Sequence, residues 1–344
     1  MRLFKFRHIQ FFTKNVFIGH LKIHNQVANY NFNFEAIDNA DGPNNKVNIP
    51  CEDIKLKLPP TAKLLQCDNN ATVALLGTVH FSKKSVNDVS EVVKIMRPNG
   101  ILVELCHQRL GILELDEHKF IQDAKNLDSR QLKEAVKGHG FISGFLHAML
   151  LKTYAELAKE FRVAPGGEFR RAYHEVKKIP GCKLFLGDRP MRITIDRALR
   201  TLSVMEFVQI LYHLTTSKPR PIDRAHLEKY KDTDYIQEQF EQITREVPAF
   251  KKIFNVLVDE RDKCLAYSIQ ETVRMVKEPR ILAVVGMGHV NGIHRYYGKL
   301  KYSDIMPLLI NVLVNLVVLS FTTFIKDVFK NFHFMSNLHA NNRK

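Results

Sequence analysis

Cysteine is sparse in this sequence, and its spacing excludes two common roles. The 344-residue chain has five cysteines, and no two of them stand in C-x-x-C spacing. An odd, scattered set in a chain of this length argues against a disulfide framework and predicts a reducing compartment. No serine or cysteine occupies a nucleophile elbow, which leaves no candidate for a covalent nucleophile of that kind.

Motifs of nucleic-acid and dinucleotide binding are also missing. The chain carries 51 basic and 36 acidic residues, and a net charge of +15 favours anionic surfaces such as phospholipid head groups, acidic proteins or nucleic acid. The basic residues form no single tract, and no Cys2His2, RNA-binding or helix-turn-helix pattern is present, so we expect no nucleic-acid partner. The stretch Gly286-x-Gly288 lacks the third glycine of a dinucleotide loop.

The N-terminal stretch lacks the features of a secretory signal. No acidic residue precedes Glu35, and basic residues alternate with phenylalanines as in a transit peptide, but serine is scarce. A basic arm without a targeting role explains this composition equally well. Residues 25–60 are polar and rich in Asn and Pro, so we interpret residues 1–60 as a basic and polar flexible arm.

Charge is absent from one segment near the C-terminus. Residues 305–325 contain no charged side chain, and lysines flank both sides. The segment is long enough to cross a bilayer as a helix. The alternative is a buried helix of the main domain, because Pro307, Asn311 and Asn315 weaken the segment. We expect residues 303–344 to form a C-terminal transmembrane anchor with a short tail, and the main domain to face the cytosol.

Four short apolar runs predict buried strands, at residues 72–76, 101–105, 183–186 and 281–285. Such near-continuous runs of Val, Leu and Ile suit a parallel sheet that is covered on both faces. Helical periodicity separates them, at residues 86–96, 146–163, 168–179, 190–215 and 251–277. We therefore predict an α/β domain over residues 61–302 with a mostly parallel central sheet and a large helical layer.

Polar residues stand at the ends of these predicted strands. His80 follows the first strand, Arg189 the third and His289 the fourth, while Glu104 lies inside the second. Ligand sites in open α/β sheets gather at the carboxyl ends of the strands, so we expect these side chains around one crevice. A glycine precedes each histidine and is expected to let the backbone bend sharply there.

Two histidines and a carboxylate are a common catalytic metal set. His80, His289 and Glu104 would suit zinc, manganese or iron, with a metal-bound water as the nucleophile. Arg189 would then bind an anionic substrate or stabilise an oxyanion. The alternative for each histidine is an ordinary hydrogen-bonded loop residue.

Two helices carry further candidate residues. Glu168 lies in a first helical turn, where the dipole favours an acid, and Arg170 beside it suggests a wall of the site. Arg261 lies at the spacing of two leucines on the apolar side of its helix, which makes it the best partner for a buried acid. A structural ion pair with an arginine is thus the alternative role of Glu104. A solvated helix face accounts for Asp262.

These pieces, in this order, resemble the TraB (pheromone-shutdown) family in its eukaryotic members. The segments that carry the resemblance span residues 72–293 and read LLGTVHFSKKSVNDV, PNGILVELCHQR, GGEFRRAYHE, LGDRPMRITIDRAL, LVDERDKCL and VVGMGHVNGI. The family is similar to Tiki metalloproteases and erythromycin esterases, which implies an active centre of paired G-x-x-H motifs and acids. At matching positions this implies catalytic roles for Glu104, Glu168, Arg189 and Arg261 and metal ligation by His80, His289 and Glu104.

The resemblance also suggests a function and a place in the cell. It implies a membrane-anchored hydrolase that depends on a divalent metal ion, zinc or manganese, and acts on peptides. The alternative is a non-catalytic adaptor that uses the same fold to bind protein partners at organelle contacts. We expect the mitochondrial outer membrane, with the endoplasmic reticulum membrane as the alternative.

Overall fold

A computed structural model describes residues 36–38, 50–68, 70–125, 164–216 and 228–309. The described part of the chain contains six strands in one sheet, in the order β1-β5-β4-β6-β3-β2. The strands are β1 (Ala36–Asp38), β2 (Ala62–Cys67), β3 (Thr72–Thr78), β4 (Gly100–Val103), β5 (Lys183–Leu186) and β6 (Arg280–Gly286).

The four central strands of this sheet are parallel, as their apolar sequences predict. β6 lies between β3 and β4 and pairs with both of them, and β5 pairs with the other side of β4. The two outer strands were not predicted, and both are antiparallel: β1 pairs with β5, and β2 pairs with β3 through an irregular register. The sheet is therefore parallel in its centre and closed by an antiparallel strand at each edge.

Eleven α-helices lie in the described residues. They are α1 (Cys51–Lys57), α2 (Lys83–Met96), α3 (Glu117–Lys125), α4 (Gly167–Val176), α5 (Met191–Arg200), α6 (Val204–Thr216), α7 (Thr233–Glu246), α8 (Phe250–Phe254), α9 (Glu260–Met275), α10 (Met287–Tyr296) and α11 (Tyr302–Leu309). A 3₁₀ turn at His107–Ile112 follows β4, and a π-helical turn at Asn255–Asp259 joins α8 to α9.

Helices cover both faces of the sheet. Successive side chains of β3 point to opposite faces and pack against different helices. Ala74 and Leu76 pack with buried residues of α2 and α4 on one face. Val73 and Leu75 pack with α9 and α10 on the other face. Fully burying a leucine side chain stabilises a fold by about 1.5–3 kcal/mol, so a strand buried on both faces needs apolar residues at nearly every position.

The predicted helices are mostly present, with one difference. The pattern at 251–277 corresponds to α8, the π turn and α9 in direct succession. The pattern at 190–215 is interrupted, because α5 ends at Arg200 and α6 begins at Val204. The predicted helix at 146–163 lies outside the described residues.

The stretch predicted as a flexible arm contributes two elements to the domain. Strand β1 adds to the sheet edge, and α1 buries Ile54 almost completely. A disulfide joins Cys51 of α1 to Cys67 at the end of β2. The expectation from cysteine spacing was wrong here, because the chain between the two cysteines, which are 16 positions apart, folds back and brings the two thiols together. Cys106, Cys182 and Cys264 are free and buried.

The predicted membrane segment begins inside the domain. Ile305 and Leu309 of α11 are buried against Cys264 and Tyr267 of α9, and Pro307 lies within the helix. Within the ranges that the structure describes, no helix has the length and apolar character to span a bilayer. Residues 310–325 of the predicted segment lie outside those ranges.

Candidate functional site

The carboxyl ends of the four parallel strands bring together residues that are far apart in sequence. His80 follows β3, Glu104 follows β4, Asp188 follows β5, and His289 lies in the first turn of α10 directly after β6. Because the strands are neighbours in the order β5-β4-β6-β3, these residues lie along one edge of the sheet. This is the edge at which open α/β sheets place their ligands.

His80 and Glu168 form the first histidine–carboxylate pair. His80 Nδ1 lies 2.6 Å from Glu168 Oε1, and Phe169 packs edge-on against the imidazole. Glu168 is buried, whereas 49% of the His80 side chain is exposed, so His80 is the member that faces solvent. Burial alone would lower the pKa of His80, but the charge and hydrogen bond of Glu168 raise it.

His289 and Asp262 form the second pair, and both residues are buried. His289 Nδ1 lies 2.6 Å from Asp262 Oδ1. Burial would lower the pKa of His289, but Glu104 and Asp262 raise it to about 9. Burial also raises the pKa of Asp262 to about 6, against the effect of His289. The pair fits because Gly292 has no side chain: a Cβ there would lie 1.8 Å from Asp262 Oδ2.

Glu104 and Arg261 form a buried ion pair, which confirms the partner predicted for Glu104. Arg261 Nη2 donates to Glu104 Oε1, and the backbone N–H of Gly286 donates to Oε2 at 2.7 Å. Burial alone would raise the pKa of Glu104, but His289 and Arg261 hold it well below its ordinary value. Glu104 is therefore an anion held from two sides.

Asp188 extends this ion pair into a network of four charged residues. Arg261 Nε and Nη2 donate to the two oxygens of Asp188 at 3.0 and 2.8 Å. Arg109 Nη2 donates to Asp188 Oδ2 and to the backbone oxygen of Glu104. Burial would lower the pKa of Arg261, but both carboxylates raise it, so the guanidinium stays charged. Arg109 Nε is buried and has no hydrogen-bond partner among the described residues.

Three of the predicted site residues converge on one point above Gly286. A Cβ at Gly286 would lie 3.2 Å from Glu104 Oε2 and 3.7 Å from both His80 Nε2 and His289 Cδ2. The predicted sharp bend is absent, because Gly286 has φ −63° and Gly77 lies within β3. At Gly77 a Cβ would lie 2.7 Å from Met287 and Val290 side-chain atoms. The two glycines therefore leave room for neighbouring side chains and do not bend the backbone sharply.

Arg189 does not join the two histidines, contrary to the expectation from sequence. Its guanidinium is buried and donates to Glu260 Oε2 at 2.7 Å, Thr194 Oγ1 at 2.8 Å and the Val256 backbone oxygen at 2.8 Å. A further bond reaches the backbone oxygen of Leu308 in α11. Asp188 accepts from Arg109 and Arg261, whereas its neighbour Arg189 donates to residues of α5, α9 and α11 and so links these helices.

Three residues of the cluster were missed in the sequence. Asp262 was assigned to a solvated helix face, yet it is buried; its spacing of three and seven residues from Leu265 and Ile269 was the available signal. Asp188 stood at a strand end beside a more conspicuous arginine. Arg109 lies in the 3₁₀ turn after β4, and no periodicity marked it. Arg170, predicted as a site wall, instead donates to the backbone oxygens of residues 164 and 165.

The donor set for the expected metal ion is of the right kind, but its arrangement does not fit. Imidazoles held by carboxylates at Nδ1 are typical of metal ligands. His289 Nε2 lies 3.4 Å from Glu104 Oε1, but Arg261 contacts both residues, with Nη1 3.1 Å from His289 Nε2. No three His, Cys, Asp or Glu side chains in the described part are arranged to hold a metal ion. Metal binding stays a prediction from the sequence.

The fold and the cluster define an α/β protein with a charged two-histidine centre at the carboxyl edge of its sheet. A family model described as the TraB/PrgY/gumN family matches residues 65–306. The chain therefore belongs to the TraB/PrgY/gumN family, which confirms the resemblance seen in its motifs.

Relatives in mammals and archaea support this assignment. Proteins named "TraB domain-containing protein" from Homo sapiens and Mus musculus are each 33% identical over 265 residues, which covers 73% of this chain and 69% of theirs. An uncharacterized protein of Methanocaldococcus jannaschii is 30% identical over 245 residues, which covers 70% of this chain and 57% of that protein.

Proposed function

We propose that this chain is a hydrolase that cleaves acyl bonds of the peptide class at the crevice lined by His80, His289 and Glu104. The main support is the paired arrangement of the two imidazoles, each held at Nδ1 by a carboxylate 2.6 Å away. A carboxylate in this position fixes the tautomer of a histidine and keeps its Nε2 available for proton transfer. The peptide class follows from the family resemblance.

His80 is the proposed general base and general acid, because it is the solvent-facing histidine of the two. With Nδ1–H donated to Glu168, the unprotonated Nε2 takes a proton from the water that attacks the acyl carbon. The same Nε2 then returns the proton to the leaving amine. Glu168 is a positioning residue: it orients the imidazole and stabilises its cationic form, in keeping with the raised pKa of His80.

Arg109 is the proposed donor to the oxyanion that forms during this attack. Its charge lowers the pKa of His80, and its Nε has no hydrogen-bond partner in the described part. A buried guanidinium with an unused N–H can stabilise a developing negative charge without reorganising. Arg261, by contrast, is fully engaged with Glu104, Asp188 and His289.

The test is cleavage of a mixture of synthetic peptides of varied sequence, followed by mass spectrometry. His80→Gln is expected to abolish cleavage and to leave the melting temperature nearly unchanged, because the side chain is half exposed and the amide of glutamine can still donate to buried Glu168. His294→Ala is the matched control, since His294 is an exposed histidine of α10. Wild-type protein that cleaves no peptide in the mixture, or full activity in the His80 variant, would contradict the proposal.

A membrane adaptor is the second candidate, and the packing of α11 favours it. Arg189 and Arg197 donate to the backbone oxygens of Leu308 and Pro307, so the helix before the apolar segment is fastened to the domain. The anchor predicted at residues 305–325 begins in this helix, so it would hold the domain close to a bilayer. We propose a tail anchor in the mitochondrial outer membrane with the domain facing the cytosol, and the endoplasmic reticulum membrane as the alternative site.

Deleting residues 310–344 tests the anchor and leaves α11 in place. Truncation after Tyr302 would also remove buried Ile305 and Leu309 and would confuse anchoring with stability. The full chain is expected to resist carbonate extraction from isolated mitochondria and to be digested by added protease, whereas the truncated chain is expected to be soluble. A domain that added protease leaves intact would contradict the tail anchor and favour import through the N-terminal arm.

A further inference from the structure

The guanidinium of Arg261 is surrounded by groups within hydrogen-bonding distance. An arginine carries five N–H donors. Arg261 Nε donates to Asp188, Nη1 faces the Leu257 backbone oxygen at 3.2 Å and His289 Nε2 at 3.1 Å, and Nη2 donates to Asp188 and Glu104. The side chain is therefore held on every side and is not a loose group that a ligand would simply displace.

The same guanidinium lies where a metal ion would have to bind. His289 Nε2 and Glu104 Oε1 are 3.4 Å apart, which is about the separation of two ligands on a tetrahedral metal at 2.0–2.2 Å. Arg261 contacts both atoms. A metal ion between them would stand in contact with a second cation in a buried environment, where like charges repel strongly.

The charges around this position already balance. Glu104 and Asp188 supply two negative charges and Arg109 and Arg261 two positive charges, and the adjacent His289–Asp262 pair adds one charge of each sign at neutral pH. All six side chains are largely buried, so an added divalent cation would leave uncompensated charge away from water.

We infer that Arg261 takes the place of a metal ion in this centre, and that the centre works without a resident metal. Arg261 holds Glu104 and His289 in position, as a structural cation would, while His80 handles the proton. The inference rests on the proposed function in treating this cluster as a reaction centre, and it deepens that function by specifying metal-free hydrolysis. It departs from the metal dependence that the motifs alone imply.

Metal analysis of the full chain is the first test. The purified wild-type protein is expected to carry only substoichiometric metal after incubation with zinc or manganese followed by desalting. Its melting temperature and its peptidase activity are expected to be unchanged by EDTA. Stoichiometric metal whose removal lowers the melting temperature would overturn the inference.

A gain of metal binding is the second test. Arg261→Ala leaves Glu104, Asp188 and His289 around the vacated space, which is a suitable zinc set. We expect this variant to bind zinc and to melt at a higher temperature with zinc than without it, unlike the wild type. Arg274→Ala, at an exposed arginine on the same helix, should behave as the wild type. A folded Arg261→Ala protein that gains no zinc would overturn the inference.

The two proposals fail in different ways. If Arg261→Ala does not fold, Arg261→Gln serves instead, because glutamine removes the positive charge and keeps most of the side chain; gained zinc binding supports the inference and its absence overturns it. Metal-free protein without peptidase activity would remove the proposed function and leave the inference about Arg261 intact. If the protein holds stoichiometric metal, loses peptidase activity when that metal is removed and regains it when the metal is added back, the proposed function stands and the inference about Arg261 is wrong.

Discussion

Replacing Glu104 by glutamine should destabilise the domain clearly. The carboxylate accepts from Arg261 at Oε1 and from the Gly286 backbone N–H at Oε2. Glutamine offers one acceptor oxygen and one amide group, so one of these two donors loses its acceptor. Breaking one partner of a buried ion pair costs about 3–5 kcal/mol, and leaving a buried donor unsatisfied is part of that cost.

The lower end of this range applies because Asp188 remains beside Arg261. Asp188 keeps two bonds to the guanidinium, so Glu104→Gln leaves a weakened charge balance rather than an isolated cation. We expect a loss of about 3 kcal/mol in the free energy of unfolding. For a domain of this size the melting temperature should fall by roughly 6–12 °C, at about 2–4 °C per kcal/mol.

Urea denaturation of the two proteins at several pH values provides the measurement. The pKa of Glu104 is depressed in the folded state, so its contribution is present above the unfolded value of about 4.3 and is lost as pH falls through the folded pKa. The difference between wild type and Glu104→Gln should therefore persist at neutral pH and narrow in acid. Glu114→Gln, at an exposed glutamate, should change stability by less than about 0.5 kcal/mol.

Two results would refute this reasoning. Equal unfolding free energies of Glu104→Gln and the wild type at neutral pH would mean that the ion pair does not stabilise the fold. Unchanged stability together with loss of a bound metal would instead make Glu104 a metal ligand, as the sequence motifs imply.

Glycine and histidine substitutions and a thiol titration give three further tests of the structure. Gly292→Ala should destabilise the domain by about 1–3 kcal/mol, because its Cβ would lie 1.8 Å from a carboxylate oxygen of α9, whereas Gly288→Ala meets nothing within 4 Å and should be tolerated in thermal melts. Thiol titration of denatured, unreduced protein should find three thiols, rising to five after reduction, because Cys51 and Cys67 are joined; five from the start would contradict the disulfide. The pKa of His289 is raised to about 9 in the folded state, so its contribution to the free energy of unfolding is fully present below a pH of about 6.5 and is lost as the pH rises through 9. In urea unfolding, His289→Gln should therefore show a smaller loss of stability over this pH range than the wild type.

The strand prediction shows which signals are local. β3 and β6 are buried on both faces, so their sequences are almost continuously apolar and visible without any partner. β2 is an edge strand with partly buried residues, and β1 has three residues, so neither produces such a run. Their place in the sheet depends on pairing with β3 and β5, which no local pattern contains.

The sequence by itself determined the parallel core, the order of its motifs and the family, because buried strands and strand-end residues are local features of the chain. It also marked His80, Glu104 and His289 as residues of one crevice, since parallel strands share a carboxyl edge. Only the tertiary structure decided their partners. Glu168 reaches His80 from 88 residues away, and Arg261 reaches Glu104 from 157 residues away. The packing of α4 and α9 on the sheet sets those distances, which is why Arg261 lies against His289 and Arg189 does not.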